Sequence, residues 1–181
     1  SNNNHYKVLD IKNNIGYGHG IISGLKVATG EIIAWTHADL QTDPIDVVDA
    51  YKLYYNELIS NNCIVKGKRK GRNFFDTFFT YAMSNIASLY LSTKLNDINA
   101  QPKMFHKSFL LLLNKAPNDF SLDLYLLFLA RKNQYKIIEF PVFFSKRLSG
   151  NSKGGGTFYG KIKLIRRTWK YIINLRKKGI D

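Results

Sequence analysis

Acidic residues are scarce: 13 aspartates and glutamates stand against 27 lysines and arginines, a formal net charge of +14 over 181 residues. That surplus favours polyanionic partners, whether nucleic acid, an anionic bilayer or phosphate-bearing substrates. Cysteine is nearly absent. Cys63 alone cannot form an internal disulfide, and no cysteine and histidine cluster has zinc-finger spacing, so a reducing compartment is expected, with Cys63 as a small buried hydrophobe. No run of about eighteen uncharged apolar residues occurs, nor a basic start followed by an apolar run and a cleavage site, so neither a spanning helix nor a secretory leader is expected. Ser1 rather than methionine stands first, which fits a piece of a longer protein. Repeats and low-complexity tracts are missing too, apart from three asparagines at 2–4 and three glycines at 154–156.

What is present suffices for one core and one domain: 45% of the residues are hydrophobic and 14% aromatic. Residues 6–11 read as a short strand, 14–20 as a glycine-spaced loop, and the following residues as a helix to about Ala28, ended by Gly30. Residues 31–36 have the continuous apolar character of a buried strand. Asp43 before Pro44 signals a helix start, and a helix to about Ser60 is expected. A strand at 63–67 is expected to end in the basic loop 68–72. Helices are expected over 74–91, near 108–113 and over 119–132, and a strand over 136–143, bent or at a sheet edge because of Pro141. The alternation predicts an α/β layered fold with a largely parallel sheet, whose ligands lie beyond the carboxyl ends of the strands, where Asp39 and Arg69 fall.

Three groups of residues have chemistry to offer. His37, Asp39 and Gln41 alternate where a buried strand runs out; in extended backbone they face one way and converge on a cation, or they form a polar corner in which Asp39 caps amides. Arg147, Ser152 and Lys153, in a glycine-bearing segment after a strand, suit a phosphate-holding lid or a solvated basic loop. Arg69 and Arg72 form a third candidate phosphate clamp. Residues 158–178 place Lys163, Arg166, Arg167 and Lys170 on one side of a helix and Phe158, Ile162, Ile165 and Trp169 on the other. Such a helix lies in an anionic headgroup layer or packs on the protein's own core. The aromatic helix over 74–91 has the same two readings.

These segments, residues 14–20, 30–33, 37–44, 66–72, 97–103, Asp123 and 147–153, occur in the order and approximate spacing of bacterial family 2 glycosyltransferases. They resemble most the subgroup similar to dolichol-phosphate mannose and polyprenyl-phosphate glucose synthases. The resemblance covers nearly the whole chain to Lys153. It implies a GT-A-type fold over 1–153, followed by a basic membrane-associating helix over 154–181. It implies that Asp39 and Gln41 hold a divalent metal on a sugar nucleotide's diphosphate; His37 stands where the family has aspartate, which leaves Mg2+ and Mn2+ both open. Arg69 and Arg72 are implied to grip an acceptor phosphate, and Arg147 and Lys153 to contact phosphates. The loop 97–103, with Gln101 and Lys103, matches the acceptor-side loop in position, although its wording departs from the common serine-glycine-phenylalanine pattern. The family's first strand, nucleotide-contacting loop and second strand have no counterpart here.

The expected reaction is inverting transfer of a sugar from a GDP- or UDP-sugar donor to a polyprenyl or dolichyl phosphate at the cytoplasmic face of a membrane. An anionic acceptor needs no general base. A hydroxyl acceptor, as in extension of a surface polysaccharide, needs a carboxylate, for which Asp123 or Asp97 is the candidate; Asp123 equally suits a helix N-terminus. A non-catalytic basic protein binding membrane or nucleic acid is the rival from another class. Nucleic acid is not expected, because the aromatics fall at core spacings and are not interleaved with the basic residues.

Overall fold

Asp43 does what its position before Pro44 predicts: its Oδ1 accepts the Ile45 amide at 2.9 Å and starts a helix. Around that helix the chain alternates strands and helices in a computed structural model that describes residues 6–71, 74–145 and 158–177. In order these are α1 (Tyr17–Val27), β1 (Ile32–Trp35), α2 (Ile45–Leu53), α3 (Tyr55–Ile59), β2 (Cys63–Lys70), α4 (Phe74–Tyr90), β3 (Lys103–His106), a 3-10 helix (Lys107–Leu113), α5 (Leu122–Lys132), β4 (Lys136–Phe143) and α6 (Phe158–Lys177).

The four strands form one open mixed sheet in the order β1-β3-β2-β4. The expected largely parallel sheet is corrected here: β2 and β4 pair in parallel, but β3 runs antiparallel to both of its neighbours, β1 and β2. The physical reason is β3 itself. After α4 the chain re-enters the sheet beside the carboxyl-terminal half of β2, where the Gly67 amide donates to the Pro102 carbonyl and Lys66 pairs with Lys103, so β3 runs back along β2 in the opposite direction. β4 does occupy an edge, as Pro141 predicts, since proline supplies no amide to a further partner.

Because side chains alternate across a strand, the ladder registers sort the sheet into two faces. Ala34, Met104, Val65 and Ile138 lie in one cross-strand row and face α2 and α3, where Ala50, Leu58 and Cys63 complete a small core. Ile33, Phe105, Ile64 and Ile137 lie in the next row and face the other way, into the main core with Phe109, Leu124, Leu127 and Ala130. Two residues further along that same face, the row reads Trp35, Lys103, Lys66, Glu139.

Other expectations shift locally. Residues 6–11 pair with no strand; Tyr6 and Val8 are exposed. The helix expected to Ser60 breaks at Tyr54, which leaves helical geometry between α2 and α3. The basic residues 68–70 belong to β2 rather than to a loop. The helix expected near 108–113 is 3-10, with His106 Nδ1 accepting the Ser108 amide at its start. α6 does not stand apart from the domain. Ile172 and Leu175 are buried in the main core, Trp169 meets the Tyr90 ring at 5.2 Å, and Arg167 lies 3.4 Å from the Asp119 carboxylate.

Candidate functional site

Lys103 opens β3 and Lys66 sits opposite it on β2, both fully buried and on the same face of the sheet. Two lysines side by side in a core are tolerated only with partners. Lys103 Nζ meets the Asp123 carboxylate at hydrogen-bond contact and donates to the Ala100 carbonyl at 3.0 Å. Lys66 Nζ donates to the carbonyls of Gly67 at 2.9 Å and Asp97 at 3.3 Å, and lies 3.6 Å from Glu139, which also holds Lys68 at 2.9 Å. Arg69 completes the lattice: its Nε donates to Asp97 Oδ1 at 2.9 Å, its Nη2 contacts the same oxygen, and its own amide donates to Asp97 Oδ2. Its guanidinium lies over the Phe144 ring. Four cations therefore meet three carboxylates, a surplus of one positive charge.

Burial sets the direction for the two lysines, and ion pairing sets it for the carboxylates. It pushes the Lys66 ammonium down to about 8, against the pull of the Asp97 carboxylate. It also lowers Lys103, against the attraction of Asp123. Burial alone raises Asp97, but the Arg69 guanidinium overrides it and holds the carboxyl below its ordinary range. Glu139 follows the same pattern with Lys68 and Lys66. The Tyr17 hydroxyl is pushed up by burial and then by Asp123.

Backbone packing fixes this arrangement. Gly67 abuts the Gln101 backbone so closely that a Cβ would stand 2.1 Å from the Gln101 carbonyl oxygen, and the Gly67 amide donates to the Pro102 carbonyl at 2.8 Å. Only glycine fits there. On the other side, Gly18 presses α1 against the carbonyl of Pro117 and brings Tyr17 under the site, where its ring stacks on Phe120 at 4.5 Å and its hydroxyl accepts from Gln101 Nε2.

Beside the lattice, three buried polar atoms have no hydrogen-bond partner: Trp35 Nε1, His37 Nε2 and Gln101 Oε1. Trp35 Nε1 faces the Tyr17 hydroxyl closely enough to influence its protonation, without hydrogen-bond geometry. Such atoms are costly in a dry interior, so three around one corner mark a place where a polar ligand or water completes the structure. They comprise a donor, an acceptor and an imidazole nitrogen that serves as either, as hydroxyl groups require.

The expected convergence of His37, Asp39 and Gln41 by strand alternation is corrected. β1 ends at Trp35, Leu40 has φ 55, and Asp39 Oδ1 accepts the Gln41 amide at 3.3 Å, so these residues form a bend. Gln41 is held to Ser145 by two hydrogen bonds, from its carboxamide nitrogen and to its carbonyl. Among the described residues no three of His, Cys, Asp and Glu gather as a metal site. The residues of this corner that could hold a divalent ion are His37, Asp39 and Gln41. His37 Nε2 is unpartnered, and burial lowers its pKa against the nearby Asp39, which keeps the imidazole in its ligating, neutral form.

Of the other sequence-expected residues, Gln101 and Lys103 lie inside the protein rather than on an acceptor loop, and Asp97 and Asp123 are both ion-paired. Arg72, Arg147, Ser152 and Lys153 lie outside the described residues, as does the side chain of Phe158. Ile162 and Ile165 are half-buried, while Trp169 and Lys170 are exposed. Lys66 and Tyr17 lie within the segments 66–72 and 14–20 without a site role read from the sequence, and Glu139 lies within an expected strand; a lysine inside an otherwise apolar strand, at Ile64-Val65-Lys66, is the signal that points to the first of them. No protein-family model matches the sequence.

Proposed function

We propose that this chain carries the acceptor-side catalytic part of an inverting glycosyltransferase of GT-A type, transferring a sugar from a nucleotide sugar to a polyprenyl-type lipid phosphate at the cytoplasmic face of a membrane. The observation that carries the proposal is the corner at the carboxyl ends of β1 and β2. There, three buried polar atoms without a hydrogen-bond partner among the described residues adjoin a lattice of four cations and three carboxylates, whose excess positive charge lies on the exposed Lys68. Ligands of layered α/β folds sit at such strand ends. Sugar hydroxyls satisfy the set Trp35 Nε1, Gln101 Oε1 and His37 Nε2, and the excess charge favours phosphate.

The reaction is one in-line displacement. An acceptor phosphate oxygen forms a bond to the anomeric carbon as the bond from that carbon to the nucleoside diphosphate breaks, and the leaving oxygen keeps the electron pair. His37 and Asp39, with Gln41, would hold a Mg2+ or Mn2+ ion, which would neutralise charge on that diphosphate. Arg69, oriented by Asp97 and Phe144, positions the acceptor; Lys103, oriented by Asp123, sets the potential beneath the sugar. Since both carboxylates are engaged with cations, and Asp97 is held below its ordinary pKa, an acceptor already anionic near neutral pH suits the site better than a hydroxyl that must lose a proton. The basic side chains that α6 exposes, Arg166, Lys170 and Lys177, favour an anionic bilayer.

The test is transfer of radiolabelled sugar from GDP- and UDP-sugars into lipid extract with Mg2+ or Mn2+, for this chain and for a version extended at its N-terminus. Metal-dependent lipid labelling that Asp39→Ala abolishes is expected. No donor binding or turnover by either version overturns the reading in favour of a non-catalytic binder.

A further inference from the structure

Beyond the buried lattice, the chain carries a second concavity, a groove of about 600 Å³ between the outer side of α4 and the segment 92–96 that follows it. That volume lies within the range of small-molecule sites. Its chemistry is unlike that of the lattice. Tyr81, Asn85, Ser88, Ser92, Thr93 and Asn96 line it with hydroxyl and carboxamide groups; Lys94 is its one charged residue, and no carboxylate lines it. Tyr81 and Leu89 stand 64% and 85% exposed, so an aromatic ring and an aliphatic side chain project at the rim.

The floor is held firmly. Ser88 Oγ accepts the Leu95 amide at 2.8 Å and contacts the Ser84 carbonyl at 2.6 Å, the Thr93 amide donates to the Ser88 carbonyl at 2.9 Å, and Leu95 is buried. The side chains of Tyr81, Asn85, Thr93 and Asn96 make no hydrogen bonds within the described protein, which leaves their donors and acceptors available to a ligand. Two ligand classes fit poorly: a divalent cation finds no carboxylate, and a polyanion finds a single lysine. A neutral polyhydroxyl compound fits, because carboxamides and hydroxyls both donate and accept, as sugar hydroxyls do, and a tyrosine ring covers the C–H face of a pyranose.

We propose that this groove binds a neutral saccharide. The segment that forms its floor leads directly through Asn96 to Asp97, the residue whose carboxylate orients Arg69. The proposal does not depend on the transfer reaction, since binding alone is its readout.

The test is saturation-transfer NMR and equilibrium dialysis of the whole chain with maltotriose, cellotriose and tri-N-acetylchitotriose, with trigalacturonic acid as the charged comparison. Binding of at least one neutral trisaccharide at millimolar concentration is expected, with an affinity loss of about tenfold in Tyr81→Ala and in Asn85→Ala, and little change in Lys94→Ala. Both altered side chains are solvent-exposed, and an unchanged circular dichroism spectrum certifies the fold. No binding of any neutral sugar, binding that survives both substitutions, or preference for the acidic sugar lost in Lys94→Ala each overturns the proposal. Transfer activity that persists without saccharide binding, or the reverse, separates this site's failure from that of the transferase reading.

Discussion

Two neighbouring rows of one sheet face differ completely. Ile33, Phe105, Ile64 and Ile137 are an ordinary core row, held by area removed from water. Trp35, Lys103, Lys66 and Glu139, two residues further along the same four strands, hold together only because each charge has found a partner from another element. The first row tolerates approximate substitution, whereas the second depends on pairing. A charge that is buried and paired contributes little net stability, yet losing its partner costs a great deal.

Breaking the polar row by Asp123→Ala leaves Lys103 buried and uncompensated. The expected loss is about 3–5 kcal/mol in urea denaturation. The double variant Lys103→Met with Asp123→Leu sharpens the contrast by converting the polar pair into an apolar one. It is expected to recover most of that stability, and if it remains as unstable as Asp123→Ala, the comparison between the rows fails.

Protonation separates the rows next. The folded protein holds Lys66 at about 8 against an ordinary 10.5, so between these values the unfolded chain binds more protons and stability rises with pH. Cys63, raised by burial from 9.0 to about 11, acts in the opposite direction above pH 9, and buried Tyr17 and Tyr171 do so at higher pH still. The rise is therefore measurable between pH 8 and 9. Denaturation midpoints should climb over that interval in the native chain and climb less in Lys66→Met, where Lys103, lowered in the same way, still acts; an unchanged slope assigns the effect elsewhere.

In the apolar row, Ile64→Val removes one methylene and is expected to cost about 0.5–1.5 kcal/mol with no change in pH dependence, checked by the same denaturation series. The smallest effect belongs to Lys68→Ala. Its ion pair with Glu139 lies at a surface where Lys68 is 59% exposed, and its removal should cost at most about 1 kcal/mol, shrinking further in high salt.

The apolar row was largely legible in the sequence. Ile32–Trp35 is continuously apolar, Lys136–Phe143 is apolar apart from Lys136 and Glu139, and Pro141 placed the latter at an edge. β3 was not legible, because Lys103-Met104-Phe105-His106 is four residues long with a lysine at its start; it is a strand through its ladders to β1 and β2, and the partner that lets Lys103 be buried, Asp123, lies twenty residues away in sequence. The candidate site was readable as a list of residue types but not as a geometry. Asp39 and Arg69 do fall at strand ends, yet the φ of 55 at Leu40 turns the 37–41 segment away from the alternation on which the metal argument rested. α6 was ambiguous for a related reason: an apolar stripe does not say what covers it, and here Ile172 and Leu175 go into the protein's own core.

The position of β3 also sets an order of events. Among the described residues β1 has no ladder partner other than β3, which is made much later in the chain. Helices α1 to α3 and the turn at Asp43 can form from local contacts, but the strand leading into the His37 corner remains without hydrogen-bonding neighbours until a long loop has closed. In kinetic terms the corner is a late assembly: a ligand that recognises it reports on completed molecules and is blind to partly folded ones.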